Sequence, residues 1–305
     1  MDAPSRAGTA TLALVGVTAV WGSTFYLIHD LLDTMDPLDF LAVRFTIAAV
    51  CLLLVFGRSL RRLDRRAWVA GLVLGVVYAL AQVLQTVGLA HTSASRSGFI
   101  TGLYVVLTPL LAAVVLRDRV GRATWVAAVL SVGGLGVLSL GPDGLAIGLG
   151  ELLTLLCAGV YAVHILGVGR YTRAELATAL ATVQMIALAV GCSAAAALDG
   201  VRLPPTPGAW GAVLYMAIVA GAGALWAQTW AQAHLSATRA AIVMTLEPVF
   251  AAGFAVLLGG ESLTGRMLLG GGLILAAMYL VELAGRRGRG ADDDAPPLEA
   301  LHHEP

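Results

Sequence analysis

Charge is scarce in this sequence. Of 305 residues, 12% are Asp, Glu, Lys or Arg; nineteen acidic groups cancel nineteen basic ones, and every basic one is arginine. A soluble domain carries about 25% charge, so an aqueous fold is excluded. The zero net charge offers no field for nucleic acid or an acidic partner. Cysteine is also rare: Cys51, Cys157 and Cys192 stand apart inside apolar runs, which excludes a disulfide framework and a cysteine-spaced metal site. No HExxH, GxSxG or Asp-rich metal motif occurs, so the sequence signatures of metalloproteases and serine hydrolases are missing. The glycines between Gly133 and Gly136 and between Gly270 and Gly272 lie within apolar stretches. There they pack helices and do not cradle phosphate. Neither a metal nor a cofactor is expected.

What is present is apolar length. Apolar residues make up 58% of the chain, and a bilayer core of roughly 30 Å needs about 20 of them per helix. Lipid tolerates no unpaired backbone groups, so such runs must be helical. They fall at 9–29, 37–57, 68–90, 97–116, 123–140, 148–168, 175–198, 209–231, 240–259 and 267–284. The expected fold is an all-α membrane protein with ten transmembrane helices. With a cytoplasmic N-terminus, fifteen arginines fall on the inner side, three outside (Arg96, Arg202, Arg266) and one, Arg44, within a span. That bias fits the positive-inside rule with both termini in the cytoplasm and the chain in the inner (plasma) membrane. The first run lacks a charged leader and a small-residue cleavage site, so it reads as a retained helix. The stretch 286–305 is charged and proline-bearing, and reads as a disordered cytoplasmic tail with two solvated histidines.

The chain also repeats itself. Gln85 to Arg96 reads QTVGLAHTSASR and Gln228 to Arg239 reads QTWAQAHLSATR, seven of twelve positions identical at an offset of 143. An offset of 140 pairs Trp21 with Tyr161 and Arg44 with Gln184. Two five-helix repeats follow, 1–143 and 144–285. Because five is odd, the copies enter the membrane from opposite sides. That inverted arrangement places a substrate site near the midplane between the halves of alternating-access carriers. A duplicated scaffold with no conduit is the plainer alternative.

Several strings then carry a resemblance: WGSTF ending the first span, PLDFLAVRF entering the second, SASRSGFI before the fourth, and SATRAAIVMTLEPVFA followed by GGES. In this order and spacing the chain resembles the drug/metabolite transporter superfamily, EamA branch. The resemblance implies a ten-helix secondary carrier of two inverted repeats that moves amino acids, related metabolites or drugs, often outward. One departure is visible. Where the first half of the family often has Gly-Glu after span four, this chain reads LRDRV, whereas the second half keeps Gly260-Glu261.

Polar groups inside spans are the candidate site residues, because they cost free energy in lipid. Gly71, Gly75, Tyr78, Gln82 and Gln85 recur at helical spacing on one face of span three. The glycines admit a neighbouring helix, while the phenol and amides either line a wet cavity or glue helices together. Gln228 is the repeat counterpart of Gln85. Trp21, Tyr104, Tyr161 and Trp226 offer aromatic walls to a solute, and Trp230 reads as an interfacial belt residue. Glu247 lies in span nine just before Pro248, which removes a backbone donor and favours a broken helix. It is either a proton-exchanging carboxylate or a fixed partner for a donor. Arg44 pairs with Asp39, snorkels outward, or meets a substrate carboxylate. His164 is a hydrogen-bonded core histidine or a proton relay, and His91 and His234 are explained by capping.

The expected function is a secondary active transporter with a small-molecule substrate and the lipid bilayer as partners, and a proton as candidate coupling ion. An intramembrane enzyme acting on a lipid-soluble substrate is the rival from another class. It needs a nucleophile with a base, or paired carboxylates on facing helices. A channel is usually a symmetric oligomer, unlike two unequal halves within one chain.

Overall fold

The first helix, α1, runs from Arg6 to Leu31, and the second, α2 (Pro37–Phe56), starts where Asp36 accepts a hydrogen bond from the Leu38 amide at 2.8 Å. Proline at the first helical position needs no donor there. The computed structural model describes residues 6–116, 121–141, 144–145, 147–171, 176–197, 200–232, 234–235, 240 and 243–289. Within them, side chains are described except at 6, 7, 116, 141, 144, 145, 169, 225, 226, 229, 232 and 285–289. A 3-10 turn (Gly57–Arg62) leads to α3 (Arg65–Leu89), capped by Asp64 on the Ala67 amide. Then come α4 (Ala94–Gly102), α5 (Tyr104–Leu116) and α6 (Arg122–Leu138). A two-residue antiparallel ladder, β1 (Leu140–Gly141) with β2 (Gly144–Leu145), precedes the second half.

That half comprises α7 (Leu149–Tyr171), α8 (Ala177–Ala196), α9 (Pro207–Leu214), a π-helical stretch Tyr215–Gly223, α10 (Ala224–Gln232), α11 (Glu247–Leu257) and α12 (Gly265–Arg289). Apart from the ladder, the described elements are helical. Among the described residues seven helices are long and apolar enough to cross a bilayer, and Arg122–Leu138, Pro207–Gly223 and Glu247–Leu257 are shorter apolar ones. Large apolar side chains lie on the outside, among them Leu54 at 81% exposure and Leu257 at 79%. Such exposure is unfavourable in water and is satisfied by lipid. The chain is therefore a multi-pass membrane protein.

Three predicted spans are less regular than their hydropathy suggests. Span four breaks at Leu103, between α4 and α5, and Pro109 removes a further donor within α5. Span eight passes through the π-helical stretch. Span nine is interrupted at Thr245 and Leu246, and Pro248 restarts it within the first turn of α11. The last helix continues to Arg289, past the predicted end of the second repeat at 285, and residues 290–305 lie outside the described residues.

Packing joins the two halves throughout. α2 lies along α8, α4 against α11 and α6 along α12; α3 packs on α7 and α8, while α10 packs on α1 and the π stretch on α2. Glycine makes the closest approaches. A Cβ added at Gly75 would lie 2.6 Å from the Ala187 Cβ, and one at Gly71 would lie 2.8 Å from a Val183 methyl. The glycine end of the span-three face thus admits α8, as its spacing implies. On α6 and α12, Gly134 and Gly270 oppose each other just as closely.

Candidate functional site

Above Gly71 and Gly75, the polar end of the α3 face meets α7. Gln82 donates from Nε2 to the Tyr161 hydroxyl at 2.9 Å and to the Tyr78 hydroxyl at 3.2 Å. Tyr161 in turn donates to Gln85 Oε1 at 3.0 Å, and Gln85 Nε2 donates to Thr101 on α4 at 3.4 Å. Tyr78, Gln82 and Gln85 come together because they are spaced at four and three residues along one helix. Tyr161 and His164, three apart on α7, face them. The His164 ring stacks on Tyr78 at 5.0 Å between centroids, and its Nε2 sits 2.7 Å from Gln184 Oε1 on α8. Tyr104 on α5 meets Tyr161 edge-on at 6.2 Å. Five helices from both halves therefore share one network of phenols, amides, a hydroxyl and an imidazole.

Two charged side chains border it. Glu247, with Tyr104, Thr101, Met244, Pro248 and Met278, lines a narrow crevice between α4 and α11 that holds no water-sized cavity. Arg44, 9% exposed, holds its guanidinium carbon 5.0 Å from the Phe45 ring centroid and 5.7 Å from that of Phe40. It neither snorkels nor pairs with Asp39; among the described residues the only ion pair is Arg96 with Glu151. The charges of Arg44 and Glu247 both act on Tyr78 and Tyr161.

Other predicted residues stand apart from this network. Trp21 donates its indole N–H to the Ala220 carbonyl at 2.9 Å and packs with a cluster that includes Leu14, Val17 and Trp230. Gln228 donates to the Met244 sulfur at 3.6 Å, which places it next to the Glu247 crevice but not within the tyrosine network. The side chain of Trp226 lies outside the described residues. Trp230 is half-buried, its ring 4.8 Å from that of His234.

A second polar cluster joins the start of α7, the N-terminal end of α4 and the loop after α11. The carboxylate of Glu151, at the start of α7, accepts from Thr92 at 2.8 Å, Arg96 at 3.1 Å and the Gly148 amide at 3.1 Å. Ser95 donates to Glu261 through both its hydroxyl and its amide. Gly260, at φ +70°, turns the chain so that Glu261 can reach Ser95. A residue with a Cβ is strained at that angle, which explains why glycine precedes this glutamate. The hydropathy pattern gave Glu151 no role, and the repeat offers no signal for it, since its counterpart positions Thr11 and Gly8 carry no carboxylate.

The geometry describes a helical membrane protein whose two halves share a polar seam. Comparison with known proteins places it further. A family model described as the EamA-like transporter family matches residues 8–140 and again 148–283. The chain is 33% identical over 274 residues to an uncharacterized transporter of Archaeoglobus fulgidus, covering 90% of this chain and 86% of that one. It is 28% identical over 258 residues to the uncharacterized transporter YyaM of Bacillus subtilis, covering 78% and 82%. A crystal structure of a protein 20% identical superposes with a TM-score of 0.64 over 92% of this chain and 98% of that chain, a likeness of fold. The chain belongs to the EamA-like transporter family and, like its relatives, is a transporter.

Proposed function

We propose that the protein is a ten-span secondary carrier of two inverted five-helix repeats that moves a small organic solute across the plasma membrane, outward, by alternating access. The carrying observation is the bond from Tyr161 of the second half to Gln85 of the first, which with Gln82 makes the interface between the halves polar. Lipid-facing helices have no reason to meet through phenols and amides unless the seam is wetted at some stage. The helix pairing supports the two-repeat reading. Exchanging the first five spans for the last five turns the α3–α7 pair into the α10–α1 pair, and leaves α2–α8, α4–α11 and α6–α12 paired as before. Transport then requires the Glu151 and Glu261 cluster to open in each cycle. By the arginine bias it lies on the outer face, with both termini inside.

Purified protein in liposomes tests this reading. Counterflow is expected for at least one member of a panel of labelled amino acids, hydroxy acids and cationic amines. Gln82→Leu or Gln85→Leu should weaken it about tenfold, as expected for the loss of one to two hydrogen bonds worth about 1 kcal/mol each. A folded protein that moves none of the panel would overturn it.

A further inference from the structure

Arg44 is 9% exposed, and among the described residues its guanidinium has neither a hydrogen-bond acceptor nor a carboxylate within 4 Å. Its N–H groups are not sealed in the core, so they stay open to a partner that enters from outside. Its guanidinium lies over the Phe40 and Phe45 rings, and the phenols of Tyr78 and Tyr161 are within range of its charge. Aromatic faces stabilise a cation in part, but they accept none of its directed hydrogen bonds. A guanidinium kept in lipid-depth surroundings with its donors unused is a site for an anion supplied from elsewhere.

We propose that Arg44 anchors the carboxylate of the transported solute. This rests on the transport reading above and specifies its substrate class. The guanidinium presents two parallel N–H groups that match the two oxygens of a planar carboxylate. A single arginine balances a single negative charge, and the groups beside it, the phenols of Tyr78 and Tyr161, are neutral. That favours a monocarboxylate over a phosphate monoester. Tyr78, which feels the Arg44 charge, accepts from Gln82 and so ties this region to the network. The second half has Gln184 at the position related to Arg44 by the repeat, and Gln184 is satisfied by His164. The anion site is therefore single, and the seam is asymmetric as an oriented solute requires.

Counterflow in liposomes holding the purified protein is the test, with labelled L-leucine, L-phenylalanine and 2-oxoisocaproate against leucine methyl ester, phenethylamine and phosphoethanolamine. Uptake of at least one monocarboxylate is expected, competed by the unlabelled acid and not by the ester. Arg44→Lys should raise its KM on the order of tenfold or more, as expected for loss of a charge-assisted bidentate contact. Arg44→Gln should abolish uptake, with size-exclusion behaviour in detergent confirming that the variant folds. Should Arg44→Gln fail to fold, Arg44→Lys and ester competition against the unaltered protein still decide. Equal competition by the ester, uptake confined to amines, or an unchanged KM in Arg44→Lys would each overturn the proposal and leave transport standing. No movement of any probe overturns the transport reading and this proposal with it.

Discussion

The Tyr161 hydroxyl stands 3.0 Å from Gln85 Oε1 and 2.9 Å from Gln82 Nε2, donating to one amide and accepting from the other. One oxygen thereby ties α7 of the second half to two successive turns of α3 in the first. A hydroxyl is suited to this because it is donor and acceptor at once, and no apolar residue at position 161 could orient both amides.

Tyr161→Phe is expected to leave the fold intact while removing both bonds. The aromatic body still packs against Tyr78 and Tyr104. With about 1 kcal/mol per neutral hydrogen bond, transport should fall roughly five- to thirtyfold in kcat/KM. Thermal unfolding in detergent should move little. A variant with a clearly lowered melting temperature and unchanged kcat/KM would place Tyr161 in the scaffold and not in the site.

Gly75→Leu should act through packing. The space beside Gly75 is already filled by the Ala187 Cβ and the Gln184 backbone, so a larger side chain forces α3 from α8 at a cost of about 1–3 kcal/mol. The same shift displaces Gln184 from His164. A lowered melting temperature together with reduced transport is expected, whereas Gly16→Leu, with nothing within 4 Å of its added Cβ, should change neither.

Glu151→Gln should loosen the polar cluster at the start of α7. The Arg96 side chain is 44% exposed, so the ion pair itself contributes little, about 0–1 kcal/mol, and the Thr92 bond adds a comparable amount. Thr101→Cys in a background lacking Cys51, Cys157 and Cys192 reports on opening. Its reaction with a membrane-impermeant maleimide should speed up roughly two- to tenfold when Glu151→Gln is added. An unchanged rate would mean that the cluster does not gate access to the network.

Glu247→Gln addresses coupling. This carboxylate is the acidic group lining the crevice between α4 and α11, and it has no cation within 4 Å among the described residues. If it exchanges the proton that drives transport, flux in Glu247→Gln becomes independent of an imposed pH gradient while exchange of solute for solute persists. A wild-type response to the gradient removes Glu247 from the coupling step.

Much of this molecule was legible in its residues. Hydropathy alone places the apolar runs, because lipid demands about 20 apolar residues per helix and forces each run to be helical. The span-three face was equally readable, since 3.6-residue periodicity fixes which side chains share a side: Gly71 and Gly75 meet α8, and Gln82 and Gln85 meet Tyr161. Pro248 foretold the interruption of span nine. The break at Leu103 and the π-helical stretch were not foretold, as both depend on how neighbouring helices reroute backbone hydrogen bonds.

Which residues from distant helices meet was decided only by the tertiary structure. Trp21 and Tyr161 are repeat counterparts, yet one is held by the Ala220 carbonyl and the other joins the seam network. For Arg44 the sequence left three arrangements open, and packing over Phe40 and Phe45 eliminated pairing with Asp39 and snorkelling outward. Composition and periodicity are properties of one helix in its lipid surroundings, and they settle what each span is. Side-chain partnership depends on the angle and depth at which separate helices pack, and no local pattern encodes that.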